Sequence, residues 1–135
     1  MTSHLSALTR IQINALSRKI LDAAMRVHSE LGPGFLEGAY EACLAYELRD
    51  SGLKVECQVP YPIHYRQVKL DVGYRLDMVI ENSVIVELKA VEKVLPLHQA
   101  QIISYLKMSG LNLGLLINFN VASLKDGIQR LVHRF

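Results

Sequence analysis

Three residues in the stretch YRLDMVIENSVIVELK, from Tyr74 to Lys89, could do chemistry together: Asp77, Glu87 and Lys89. Two carboxylates held side by side repel unless a proton or a cation lies between them. A site built on Asp77 and Glu87 therefore begins with a divalent metal. A lysine two residues beyond a strand carboxylate points to the same side, so Lys89 can reach whatever Glu87 holds.

The local pattern brings these residues together. Apolar side chains take the even positions Tyr74, Leu76, Met78 and Ile80, then Val84, Val86 and Leu88. This is the alternation of two half-buried strands, and it leaves Asp77, Glu87 and Lys89 on the opposite face. A turn at Glu81-Asn82-Ser83 keeps apolar opposite apolar and sets Asp77 directly across from Glu87. Cross-strand neighbours of this kind lie roughly 4.5–5.5 Å apart. Taken singly, Asp77 could be a solvated strand residue and Glu87 with Lys89 an exposed pair. The apolar run Val84-Ile85-Val86 argues otherwise, since a buried strand seldom carries charges without partners.

Further candidates lie on helices. Glu37 falls on the stripe Glu37, Tyr40, Leu44, Leu48 of a helix running from about Leu36 to Asp50. It is either a carboxylate favoured by the helix dipole or a third acid turned toward the site. Gln101 and Tyr105 stand one above the other on a helix from about Leu97 to Ser109, as a plain polar face or as part of the site. His98 shares nearly that face, as a structural or phosphate-contacting residue.

The remaining elements are positioned around these. An earlier helix carries Leu16, Ile20, Ala23, Ala24, Val27 and Leu31, and ends at Gly32-Pro33. The alternation Leu53, Val55, Cys57, Val59, Tyr61, Ile63, Tyr65 predicts a strand, and Pro60 and Pro62 place it at a sheet edge. The run Leu113 to Phe119 (LGLLINF) is apolar but for Asn118, the pattern of a strand buried on both faces and parallel to the Glu87 strand after a helical crossover. The tail from Ile128 to Phe135 suits either strand or helix. The expected organisation is a loosely ordered lead-in over residues 1–12 and a single domain over 13–135.

With 135 residues, half of them hydrophobic, the chain can bury a real core. A net charge of +2 gives no support for a broad nucleic-acid patch. Cys43 and Cys57 lack metal-type spacing and are expected as reduced thiols in a cytoplasmic protein. No apolar run approaches the ~18 residues that span a bilayer.

The segment GFLEGAY, Gly34 to Tyr40, resembles the motif that names the GxxExxY proteins. The resemblance extends through HSELGPGFLEGAYEACLAYELRDSGL, YRLDMVIENSVIVELKAVEKV and QAQIISYLKMSGLNLGLLINFN, nearly the whole chain. That family is grouped with the PD-(D/E)xK nuclease-like superfamily. The resemblance implies an α/β fold, a restriction-endonuclease-like core in which helices flank a mixed four-stranded sheet: an antiparallel meander plus one parallel crossover strand. It implies Mg²⁺ or Mn²⁺ on Asp77, Glu87 and the Leu88 carbonyl, with Lys89 acting on water or phosphate. It also implies that Glu37 is the helical acid and that Gln101 and Tyr105 position metal-bound water and DNA. The function so implied is metal-dependent hydrolysis of nucleic-acid phosphodiesters, DNA foremost. The alternatives are a non-catalytic interaction domain or a phosphohydrolase of small esters. A two-fold homodimer is expected. Grip on DNA is expected from a protein partner or from a cluster of Arg75, Lys89, Lys93 and Lys107.

Overall fold

The computed structural model describes residues 8–135, the side chains of residues 72 and 73 excepted. Thr9 opens the first helix, α1 (Arg10–Leu31). Its hydroxyl accepts from the Gln12 N–H at 3.1 Å, and the Gln12 side chain accepts from the Thr9 N–H at 2.8 Å. This reciprocal cap starts the helix inside the segment read as lead-in, because it satisfies two otherwise orphaned donors. Residues 1–7 of that segment lie outside the described residues. Leu16, Ile20, Ala23, Ala24 and Val27 are buried as the periodicity requires. Gly32 closes α1 at φ 66°, donating to the His28 carbonyl at 2.7 Å.

The turn into α2 (Glu37–Asp50) is stapled by Tyr40. The Tyr40 hydroxyl donates to the Gly32 carbonyl at 2.6 Å and accepts from the Phe35 N–H at 3.1 Å. Its ring, fully buried, stacks on Phe119 with centroids 4.4 Å apart. Gly34 sits between these bonds at φ 110°, a conformation that side chains other than glycine's resist.

Five strands form one sheet in the order β1 (Val55–Tyr65), β2 (Val68–Ile80), β3 (Val84–Lys89), β4 (Leu113–Asn118), β5 (Ile128–Val132). The helix α3 (Pro96–Ser109) crosses from β3 to β4, which pair in parallel, while the other neighbours are antiparallel. The edge position expected for the proline-bearing strand is the one β1 occupies. The tail resolves as a strand, so the sheet has five strands instead of the expected four. The physical reason is that β4 is buried along its whole length, and its outer N–H and C=O groups need a partner. Among the described residues no helix is long and apolar enough to cross a membrane.

Helices cover both faces. On one, α1 and α2 pack on Met78, Ile80, Val84, Val86, Leu88, Leu115 and Ile117. On the other, Ile102, Tyr105 and Leu106 of α3 pack on Val79, Ile85 and Leu116. Gly114 lets α3 come close: a Cβ there would stand 2.6 Å from Ile102 Cγ2.

Leu76 departs from the expected alternation, since it belongs to the α3 side instead of joining Met78 and Ile80. The ladder explains the switch. Cys57 pairs with Met78 and Val59 with Leu76, but Gln58 and Asp77 between them are unpaired, and Gln58 has φ 53°. An irregularity of this kind redirects the side chains beyond it.

Tyr40→Phe should remove both hydrogen bonds that close the Gly32–Phe35 turn while keeping the stack on Phe119. We expect it to cost about 1–2 kcal/mol in urea unfolding. A variant as stable as the wild type would show that the hydroxyl contributes nothing.

Candidate active site

The turn at Glu81-Asn82-Ser83 sets the register of β2 against β3. Glu81 and Asn82 take φ of 52° and 53°, and the Ser83 N–H donates to the Ile80 carbonyl at 2.9 Å. Ile80 then pairs with Val84, Val79 with Ile85 and Met78 with Val86. One step further, Asp77 faces Glu87, as the even-sum register predicts. There the regular ladder stops and the carboxylates take over the main-chain donors. The Asp77 N–H donates to Glu87 Oε1 at 3.3 Å, and the Leu88 N–H donates to Asp77 Oδ2 at 2.9 Å. The two acids are thus held by each other's strand, at the place where β2 is also unpaired from β1.

Burial sets the electrostatics. Glu87 is only 7% exposed. Desolvation, then a side-chain hydrogen bond with Asp77, then the charge of Asp77 push its pKa up to about 9; the Asp77 N–H and Lys89 oppose this. A protonated Glu87 carboxyl can bridge to Asp77, and at neutral pH that proton separates the two groups. Tyr105 lies buried on α3, its pKa pushed up to about 12 by burial first and then by the charge of Glu87. Tyr74 meets the Tyr105 ring edge-on at 5.1 Å.

Lys89 ends β3, half-buried. Its carbonyl accepts from the Phe119 N–H at 2.9 Å, and Phe119 is the residue on which Tyr40 stacks. A continuous set of contacts therefore ties the turn before α2 to the lysine. His98, in the first turn of α3, accepts from the Leu95 N–H through Nδ1 at 3.1 Å. This leaves the proton of the neutral ring on Nε2. Burial and then Lys89 lower its pKa, against the pull of Glu37, so all three groups share one field.

Glu37 does not lie on a buried stripe. It is exposed at the first position of α2, and burial begins at Tyr40, because no preceding turn of helix covers that position. Its charge is felt at His98. Gln101 is half-buried one turn before Tyr105, and among the described residues no hydrogen bond joins it to the carboxylates. The Leu88 side chain is buried in the α1–α2 core, so only its main chain can serve the site.

Asn118 was not singled out from the sequence. Buried at the end of β4, it accepts from the Val91 N–H at 3.1 Å and donates to the Val91 carbonyl at 2.9 Å. It thereby anchors the chain just after Lys89. Its one signal is a polar residue inside an apolar run.

Among the described residues no group of three or more His, Cys, Asp or Glu converges. The available donors are two carboxylates and a carbonyl, with water for the rest. Such a set fits a hard, partly hydrated cation such as Mg²⁺ or Mn²⁺, and does not fit a closed site of nitrogen and sulfur ligands.

The raised pKa of Glu87 has a consequence for stability. The folded protein holds a proton that the unfolded chain releases at the ordinary carboxyl value, so the contribution of Glu87 to stability is fully present below about pH 4.5 and is lost as pH rises toward about 9. With chelator present, the melting temperature should fall across that window after correction for other groups. Glu87→Gln should flatten this part of the profile. Identical profiles for variant and wild type would contradict the shared-proton description.

The comparison with curated proteins and that with solved structures found no match. The family model described as PD-(D/E)XK nuclease superfamily matches residues 14–131. The acid pair, the lysine two residues beyond the second acid, and the helix-covered mixed sheet agree with that match, which spans nearly the whole chain: the protein belongs to the PD-(D/E)XK nuclease superfamily.

Proposed function

We propose that the protein hydrolyses nucleic-acid phosphodiesters, with DNA as the foremost substrate, using Mg²⁺ or Mn²⁺. The observation that carries this reading is the convergence of Asp77 with the buried Glu87, two residues before Lys89 on the same strand. A pair that needs a proton to coexist is a pair whose proton a cation can replace, and binding would release that proton. Asp77, Glu87 and the Leu88 carbonyl would hold the cation, which supplies Lewis acidity toward phosphate and water.

The chain's own groups divide the remaining work. Lys89 brings an ammonium to the developing negative charge on phosphate and orients the attacking water. Tyr105, with a pKa of about 12, stays a neutral hydrogen-bond donor across the working pH range. Gln101 would present its amide to substrate or water from the preceding turn. His98 offers Nε2–H at the mouth, and Glu37 holds water there or screens Lys89.

Two measurements test this reading. Mg²⁺ or Mn²⁺ at about a hundredfold excess over Kd should add roughly 2.7 kcal/mol of stability, and Asp77→Asn should abolish most of that gain. Equal shifts in wild type and variant would place the metal elsewhere. Lys89→Ala should slow Mn²⁺-dependent cleavage of DNA by about 10²–10³ while leaving most of the metal-induced stabilisation. If no nucleic acid is cut faster than by Asp77→Ala, the nuclease reading fails and a non-catalytic interaction domain takes its place.

A further inference from the structure

The β1–β2 hairpin outruns the sheet. β3 pairs with β2 only from Met78 to Ile80, whereas β1 follows β2 out to the pair Tyr65 and Val68. Beyond Tyr74 the hairpin continues as a two-stranded ribbon reaching roughly 20 Å past the acids, in the direction in which β3 ends at Lys89. Its base is anchored on α3: the Tyr61 hydroxyl donates to the Met108 carbonyl at 2.9 Å, and Tyr74 packs against Tyr105. Among the described residues, no hydrogen bond, ion pair or ring contact joins its outer part to another element.

Pairing sorts the faces of the ribbon's outer part. Ile63 with Leu70 and Tyr65 with Val68 share one face, beyond a shift of register that separates them from the pair Tyr61 and Tyr74. Tyr65 is 60% exposed and Val68 54%. Arg66 at the tip lies over the Tyr65 ring, 5.5 Å from its centroid. The opposite face of the outer part pairs His64 with Lys69.

Charge points to the occupant. Residues 60–75 carry Arg66, Lys69 and Arg75 against Asp71, so their net charge equals the +2 of the whole chain and the remainder is neutral. The site's other rim also combines apolar tips with polar groups: Leu36 and Leu97, both exposed, flank Glu37 and His98. We infer that the β1–β2 ribbon is a nucleic-acid-binding arm that takes a single strand leading toward Asp77 and Glu87, stacking unpaired bases on Tyr65 and its apolar face while the charges of Arg66 at the tip and Lys69 on the reverse face attract its phosphates. A duplex buries its base faces and must be gripped through many phosphates, which so small a net charge does poorly. A single strand offers each base as a stacking surface. The inference deepens the nuclease reading and rests on it for the direction in which the strand runs.

Binding can be measured apart from cleavage. With chelator present, full-length protein should bind a fluorescent oligo(dT) of about 16 nucleotides at least tenfold more tightly than a duplex of equal length, read by anisotropy. Tyr65→Ala should weaken oligo(dT) binding roughly tenfold. Lys69→Ala should weaken it and lower its salt dependence, whereas Lys19→Ala, which removes an equal charge from the exposed face of α1, should not. Equal losses for Lys69→Ala and Lys19→Ala would reduce the effect to net charge and overturn the arm. Unchanged binding in both ribbon variants would overturn it too, as would duplex bound as tightly as oligo(dT). A dimer by light scattering that Tyr65→Ala dissociates, with binding intact, would assign the face to a second copy instead. Cleavage in Mn²⁺ with ribbon variants binding normally sinks the arm alone. Loss of binding in those variants without cleavage by the wild type sinks the nuclease reading and leaves the arm.

Discussion

Two carboxylates forced together in a poorly hydrated place are the constraint around which this molecule is organised. Asp77 and Glu87 each accept a main-chain N–H from the other's strand, so neither can turn away without orphaning a donor. Burial keeps a proton on Glu87. That state is tolerable in the isolated protein, and the proposed cation would take the proton's place. The local cost is visible in the backbone, where Asp77 loses its regular partners on both sides and Gln58 adopts a positive φ.

Much of the surrounding structure holds the end of β3 in position for this pair. Phe119 binds the Lys89 carbonyl with its N–H and presents its ring to Tyr40, which in turn closes the turn that launches α2. Asn118 fixes the next stretch of chain through Val91. The segment Gly34 to Tyr40 thus divides its labour: a glycine for the turn, a tyrosine for the scaffold, and an exposed glutamate at the start of α2. On the opposite side, Gly114 admits α3 closely enough for Tyr105 to sense Glu87.

The charge distribution separates the acid pair from the excess cations. Glu87 is buried where water is scarce and electrostatic effects are strong. The excess cations lie on the β1–β2 ribbon, outside the helix-covered part of the sheet. A protein built this way would not hold long duplexes tightly through phosphates alone. It would depend on contacts that a flexible strand can make with exposed aromatic and aliphatic side chains.

The sequence by itself determined what depends on local period. Alternation and the length of the Glu81–Ser83 turn set Asp77 across from Glu87, since a strand's two faces repeat every two residues and hairpin register follows the turn. Helical stripes and glycine stops located the three helices, and the apolar run at Leu113 located the buried parallel strand. Tertiary structure decided whatever depends on neighbours remote in the chain. Glu37 satisfied the stripe's spacing yet is exposed, because coverage at a helix's first turn comes from elsewhere in the fold. Leu76 satisfied the alternation yet changed face, because an interruption opposite Gln58 is invisible to a period. The tail became a strand only because β4 had an open edge beside it. Asn118 and the ribbon's reach past the sheet emerged only when the lengths of paired strands could be compared. Periodicity reports which way a side chain points along its own element; burial and reach are properties of what packs against it.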